Sequence, residues 1–347
     1  MRDGHHEASS IVVVGSINVD QVVTVARHPL PGETLIGSGL ALFPGGKGAN
    51  QAVAAARLGG RVSMVGLVGS DASQSTLALA LLTEAGVDTR AVHTVSGPTG
   101  LATIAVAANG ENTIVVIPGA NALMTSVAVS REATLISAAG VVVMQGEIPP
   151  SGITTAAGLV TGRLVLNLAP VIDLDPAVIL GADPLVVNEH EARLLVSQLR
   201  AAAAPDDAPD DDPEPEPRLT DADAVQWLRN RGVASVVLTR GASGALCSDR
   251  NGTHAIAAPR VTAVDSSGAG DAFVGALSTC LARGESLVTA VTYAVRVGAY
   301  AVQGHGTQPS YPREADTLPE VPGVPGVPEV PEGPDHSVAP HHRKVSA

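Results

Sequence analysis

The sequence predicts an α/β fold: a parallel sheet in a three-layer α/β sandwich, with a small antiparallel β-sheet acting as a lid. Three observations lead there. Short, wholly apolar runs at 11–14 and 141–144 have the character of strands buried on both faces. From residue 125 onward such runs alternate with helical stretches, as parallel strands joined by crossover helices require. Glycine-rich turns also run straight into helices at 44–51 and 265–272, which lets backbone N–H groups converge on a ligand.

Composition narrows the function. A chain of 347 residues can bury a sizeable core, but with aromatics at 2% that core must be built from Ala, Val and Leu. The net charge is −13, and residues 206–216 alone hold seven acidic side chains. No basic face invites nucleic acid. Cys247 and Cys280 are too few and too far apart to suggest a disulfide or metal framework. No apolar run is long enough to span a membrane and no signal peptide pattern opens the chain, so a cytoplasmic location is the expectation.

In chain order, the strand at 11–15 is followed by Ser16-Ile-Asn-Val-Asp20, placing Asn18 and Asp20 beyond its carboxyl end. Ligands of open α/β sheets sit at that end, although a polar turn would look the same. Pro44-Gly-Gly-Lys-Gly-Ala-Asn50 leads into a helix ended by Gly59-Gly60. Gly46 permits close approach, while Lys47 and Asn50 supply a cationic donor and an amide; the Walker spacing is missing, so this reads as a loop for a hydroxyl-rich ligand. Residues 22–43 and 91–117, with a hairpin at Asn109-Gly110, are expected to form the lid. Glu147 follows the strand at 141–144. Asn188 and Glu191 open a helix at a spacing that fits either an N-terminal capping box or a site ordering the waters of Mg²⁺. Thr239, Gly241 and Gly244 form a small-residue loop at a strand end, suited to a nucleotide or simply to a tight turn. The Pro- and acid-rich stretch 201–217 reads as a disordered insertion, and 1–10 and 319–347 as disordered tails around one domain at 11–315.

The stretch Asp265-Ser-Ser-Gly-Ala-Gly-Asp271 carries the most chemistry. Gly268, Ala269 and Gly270 offer their amides at a helix start, a receptor for phosphate. A carboxylate such as Asp271 is a poor neighbour for phosphate unless it removes a proton from an attacking hydroxyl. The plainer alternative is a helix start with a dipole-compatible acid.

Taken together, Gly-Ser-Ile-Asn-Val-Asp at 15–20, Gly-Gly-Lys-Gly-Ala-Asn-Gln-Ala at 45–52 and Asp-Ser-Ser-Gly-Ala-Gly-Asp at 265–271 resemble the ribokinase-like carbohydrate kinases. The resemblance implies transfer of a phosphoryl group from ATP, with Mg²⁺, to O5 of a sugar, D-ribose above all. It implies Asp271 as catalytic base and the amides of Gly268, Ala269 and Gly270 as an anion hole. Asn18, Asp20, Gly46, Lys47, Asn50 and Glu147 match sugar-contacting positions; Asn188, Thr239, Gly241, Gly244 and Gly270 match nucleotide-contacting ones, and Glu191 the Mg²⁺-ordering position. A K⁺ site is implied at Asp265, Ser267, Ala301, Gly304, Gly306 and Ser310, with Gly304 standing where the family often has a larger residue. A homodimer paired through the lid is implied as well. Sibling activities, such as deoxyribokinase or a fructokinase-like enzyme, and a non-catalytic sugar sensor remain open alternatives.

Overall fold

The computed structural model describes residues 9–202 and 219–321. Residues 203–217 of the expected insertion, and most of the two expected tails, lie outside the described residues. Thirteen strands are present among the described residues: β1 (Ile11–Val14), β2 (Asn18–Val25), β3 (Gly39–Gly45), β4 (Val62–Gly69), β5 (Val92–Val95), β6 (Gly100–Ala107), β7 (Asn112–Ile117), β8 (Val141–Gln145), β9 (Arg163–Asn167), β10 (Leu185–Asn188), β11 (Val236–Thr239), β12 (Ala245–Asp249) and β13 (Gly252–Ile256). Nine form one sheet in the order β13-β12-β11-β10-β9-β8-β1-β4-β5, parallel except for β12 and β13 at one edge.

The alternation within β1 explains the layers. Ile11 and Val13 join one buried apolar cluster while Val12 and Val14 join another, as side chains of a strand point to opposite faces. The first cluster takes in helices Lys47–Arg57, Ala269–Ala282 and Leu287–Ala301; the second takes in helices Pro150–Leu159, Glu189–Ala201 and Asp221–Asn230. Small residues let two of these helices approach closely. A Cβ on Gly275 would lie 2.5 Å from Ala54 Cβ and 2.8 Å from Ala55 N. That contact brings the N-terminal turn of helix Lys47–Arg57 alongside that of helix Ala269–Ala282.

The lid is the second sheet, in the order β3-β2-β6-β7. Asn18 and Asp20 lie on β2, so the lid begins at the residues that follow β1. One boundary needs correction. The stretch 91–95, expected in the lid, is β5, which pairs in parallel with β4 through Gly66↔Val92 to Gly69↔Val95. It follows helix Ala72–Glu84 and completes a strand–helix–strand crossover, so the exposed edge of β4 is its partner. The folded chain is also wider than 11–315. Ser9 N donates to Ala282 O, and Leu318 is buried in the core while Arg296 donates to the carbonyls of Leu318 and Pro319.

Candidate active site

The carboxyl ends of the parallel strands converge on one place. Ser16 follows β1, Gln145 ends β8, Asn167 ends β9, Asn188 ends β10 and Thr239 ends β11, which is where open α/β sheets bind ligands. The loop into helix Lys47–Arg57 crosses this edge. Gly46 has φ 86°, and a Cβ there would lie 2.8 Å from Asn18 N, so only glycine fits the turn. A Cβ on Gly45 would fall 2.1 Å from Asp20 Cγ, so the glycine makes room for that carboxylate.

Asp271 sits in the first turn of helix Ala269–Ala282 and is 5% exposed. Both of its oxygens are taken by amides from the neighbouring helix: Asn50 Nδ2 donates to Oδ2 and Gln51 Nε2 to Oδ1, each at 2.9 Å. Asn50 is itself held, since its Oδ1 accepts from Gln308 Nε2 at 2.8 Å. Gly268, before that helix, has φ 71°, and its carbonyl accepts from Tyr311 Oη at 3.0 Å. The Arg57 guanidinium donates to the carbonyls of Gln308 and Tyr311, fixing the turn that carries both side chains.

Lys47 lies in the field of four carboxylates. Its ammonium is held above its ordinary value by Asp271 first, against the opposing effect of burial, and then by Glu147, Glu191 and Asp20. Burial pushes the Asp20 carboxyl up to about 7, with Glu147 and Asp271 adding to the rise and Lys47 opposing it. Glu147 Oε2 accepts from Ser16 Oγ at 2.6 Å and from Lys47 N at 3.0 Å, stitching the loop after β8 to the glycine loop. Asn18 Oδ1 accepts from Asn121 Nδ2 at 2.7 Å. The predicted sugar-contacting residues Asn18, Asp20, Gly46, Lys47, Asn50 and Glu147 are therefore brought together with Asp271.

The residues expected to face a nucleotide occupy the neighbouring strand ends. Asn188 and Glu191 form a complete capping box, Asn188 Oδ1 accepting from Glu191 N and Glu191 Oε2 from Asn188 N, each at 2.8 Å. Burial raises the Glu191 carboxyl, opposed by the Asn188 amide and the charges of Lys47 and His190. Thr239 ends β11, and Gly241 and Gly244 bound the turn to β12. A side chain at Gly241 would meet no atom within 4 Å, leaving its backbone open to a ligand. Among the described residues, no hydrogen bond ties this loop to the Asp271 network.

Two loops meet at Asp265. Its Oδ1 accepts from Ser267 N at 2.9 Å and its Oδ2 from Gly306 N at 3.0 Å. A Cβ on Gly304 would lie 2.9 Å from Ser310 Cβ, so a side chain at this position would crowd Ser310. This set offers one carboxylate, two serine hydroxyls and main-chain carbonyls, oxygen donors of the kind hard cations take. Among the described residues, no group of three or more His, Cys, Asp or Glu is placed to hold a metal ion. Burial pushes the thiol of Cys247 up to about 11 and that of Cys280 to about 12, so neither serves as a nucleophile near neutrality.

The family model that matches the chain is "pfkB family carbohydrate kinase", over residues 8–314. This chain belongs to that family. It is 34% identical over 313 residues to a ribokinase of Haemophilus influenzae, covering 89% of this chain and 97% of the relative. A deoxyribokinase of Salmonella typhi is also 34% identical, over 307 residues, covering 87% and 95%. Among solved structures, the Arabidopsis thaliana ribokinase complexed with ribose and ATP superposes with a TM-score of 0.77 at 28% identity, covering 88% of this chain and 96% of that one.

For a pfkB family carbohydrate kinase, motif reading picks out Asp271, the glycine loops and the polar residues gathered around Lys47. It does not find Gln51, Gln145, Asn167, Asn121, Gln308 or Tyr311 as parts of the site. Gln51 lies inside the glycine–lysine motif and Gln145 two residues before Glu147, so their positions were visible but their partners were not. Gln308 and Tyr311 touch residues more than 40 positions away, which local spacing does not reveal.

Proposed function

We propose that this carbohydrate kinase transfers the γ-phosphoryl group of ATP to O5 of D-ribose, giving D-ribose 5-phosphate and ADP. The carrying observation is Asp271, held by Asn50 and Gln51 at the helix start beside the amides of Gly268, Ala269 and Gly270. In this reading Asp271 takes the O5 proton as the O5–P bond forms and the bond from phosphorus to the ADP oxygen breaks. The three amides face the oxygens on which negative charge accumulates. Asp20 and Asn50 hold ring hydroxyls, with Asn18, Gly46, Lys47 and Glu147 completing the sugar pocket. A site built to bond a hydroxyl rejects the sugar lacking it, which favours ribose over 2-deoxyribose.

Asn188, Thr239, Gly241 and Gly244 take the nucleotide in this reading. Mg²⁺ supplies charge neutralisation at the phosphates when bound, and the Glu191 carboxylate, set among several other acids, fits a role in ordering its waters. Asp265, Ser267, Ala301, Gly304, Gly306 and Ser310 would hold K⁺. A cytoplasmic location accords with two free, buried thiols and a dependence on ATP.

The test is ADP release with Mg²⁺-ATP and ribose, 2-deoxyribose, fructose or adenosine, each with and without K⁺. Ribose-dependent turnover that rises with K⁺ supports the reading. A preference for 2-deoxyribose transfers the assignment to the activity of the Salmonella relative, and ribose binding without turnover leaves a sensor.

Gly270→Ala separates the anion hole from the fold. A side chain at this helical position meets nothing within 4 Å, so alanine should add about 0.5–1 kcal/mol of stability. A methyl group in the path of the phosphoryl group should still lower kcat about tenfold or more, given the cost of small displacements at a reacting centre. Thermal unfolding and kcat measured together check this, and an unchanged kcat removes Gly270 from the anion hole.

A homodimer through the lid is part of the same proposal. Ile114 and Val116, which share one face of β7, are each about half exposed. Ala41, Val22, Ile104 and Ile114 form a cross-strand apolar row on the face that also carries Asp20. Ile114→Lys is expected to halve the mass seen by light scattering and to raise KM for ribose. A dimeric variant would argue against this face.

A further inference from the structure

One side chain bonded to Asp271 has no part in the sugar or nucleotide assignments. Gln51 is 1% exposed, and its amide is fully engaged. Nε2 donates to Asp271 Oδ1 and to Asn167 Oδ1, both at 2.9 Å, while Oε1 accepts from Gln145 Nε2 at 2.7 Å. Asn167 is anchored in turn, its Nδ2 donating to Val186 O at 3.1 Å. The ends of β8 and β9 and the first helix thus contribute one amide each to a buried chain that terminates on a single oxygen of Asp271.

The construction is specific. Among the described residues no donor meets Gln145 Oε1, and a Cβ on Gly15 would fall 2.0 Å from it. The Gln145 amide can therefore reach Gln51 only because residue 15 has no side chain.

A carboxylate turns broadly about its last side-chain bond, so one donor leaves its plane loose. Donors on both oxygens fix it. The geometry points to Gln51, backed by Gln145 and Asn167, as a positioning residue that holds the Asp271 carboxylate in the plane needed to receive the sugar proton. This rests on the reading of Asp271 as the base. Both donors are neutral, so they orient the base without supplying a cation.

The experiment compares Gln51→Met with the unaltered enzyme, reading kcat, KM for ribose, the pH profile of kcat at saturating ribose, where Asp20 is already engaged by the sugar, and thermal unfolding. Gln51→Met is expected to lower kcat about 10- to 100-fold, the scale of a misplaced reacting group, with KM for ribose within about threefold. Its acid limb should move to higher pH, because losing a donor disfavours the charged carboxylate. The titratable groups whose charge acts with Asp271 are Asp20, Lys47, Glu191 and Tyr311, and all remain in place. A merely structural role would lower the unfolding temperature without moving the limb.

If Gln51→Met does not fold, Gln145→Met, one amide further out, is expected to move kcat and the limb the same way by a smaller factor. A kcat within twofold of the unaltered enzyme and an unmoved limb would overturn the proposal. Asp271→Asn run alongside separates the two readings: if it retains full turnover, the base assignment is at fault and not the positioning of it.

Discussion

Asp271→Asn is expected to lower kcat about 10²- to 10⁴-fold, the usual contribution of a positioned general base. The amide matches the carboxylate in size but cannot accept the O5 proton. Stability should fall as well, for a reason visible in the hydrogen bonds. Both Asp271 oxygens accept, from Asn50 Nδ2 and Gln51 Nε2, so an amide at 271 sets one NH₂ group against a donor. Neither neighbour can simply turn over. Asn50 Oδ1 is committed to Gln308, and Gln51 is committed to Gln145 and Asn167. A buried, mismatched donor pair costs about 1–3 kcal/mol. Single-turnover transfer to ribose, with thermal unfolding on the same sample, checks both parts. Loss of turnover with KM for ribose retained fits a base, whereas full turnover places the proton acceptor elsewhere.

The same hydrogen bonds show what the sequence can and cannot reveal. Asp271, Gly268 and Lys47 stand in compact patterns because each needs its neighbours: a glycine turn must precede the helix start that it serves. The amides behind them need only arrive at the right point in space, and Gln308 does so from 258 residues away. Nothing in the spacing of Gln308 marks it. Asn188 and Glu191 illustrate a different limit. Capping box and phosphate-side acid share one spacing, and the structure realises the cap while leaving Glu191 near Lys47, so the two readings are compatible. The misplaced strand at 92–95 has a physical reason too. Four residues with half-buried valines at each end suit a lid or a sheet edge equally, and the choice is made by the exposed edge of β4.

The field of carboxylates around Lys47 bears most directly on Asp20. Its carboxyl is raised from 3.8 to about 7, chiefly by burial, so in the empty site it is part-protonated near neutrality. A raised folded-state value stabilises the protein fully below about pH 4, and that contribution is lost as pH rises through about 7. The shift corresponds to at most about 4 kcal/mol. The empty enzyme should therefore lose unfolding temperature between pH 5 and pH 8, and Asp20→Asn should flatten that decline and be the more stable protein at the alkaline end. Sugar binding runs the other way. Hydroxyl donors from ribose favour the ionised carboxylate, so binding releases a proton and tightens as pH rises through 7. Hydrogen bonds to a charged group are worth about 1.5–3 kcal/mol, so Asp20→Asn should lower kcat/KM for ribose about 10- to 150-fold. Thermal unfolding across pH and calorimetry in two buffers of different ionisation enthalpy measure these effects. Opposite signs for stability and affinity in this one variant would mark a carboxylate kept buried at a cost to the fold because the sugar needs it; a variant that changes neither slope would take Asp20 out of the sugar site.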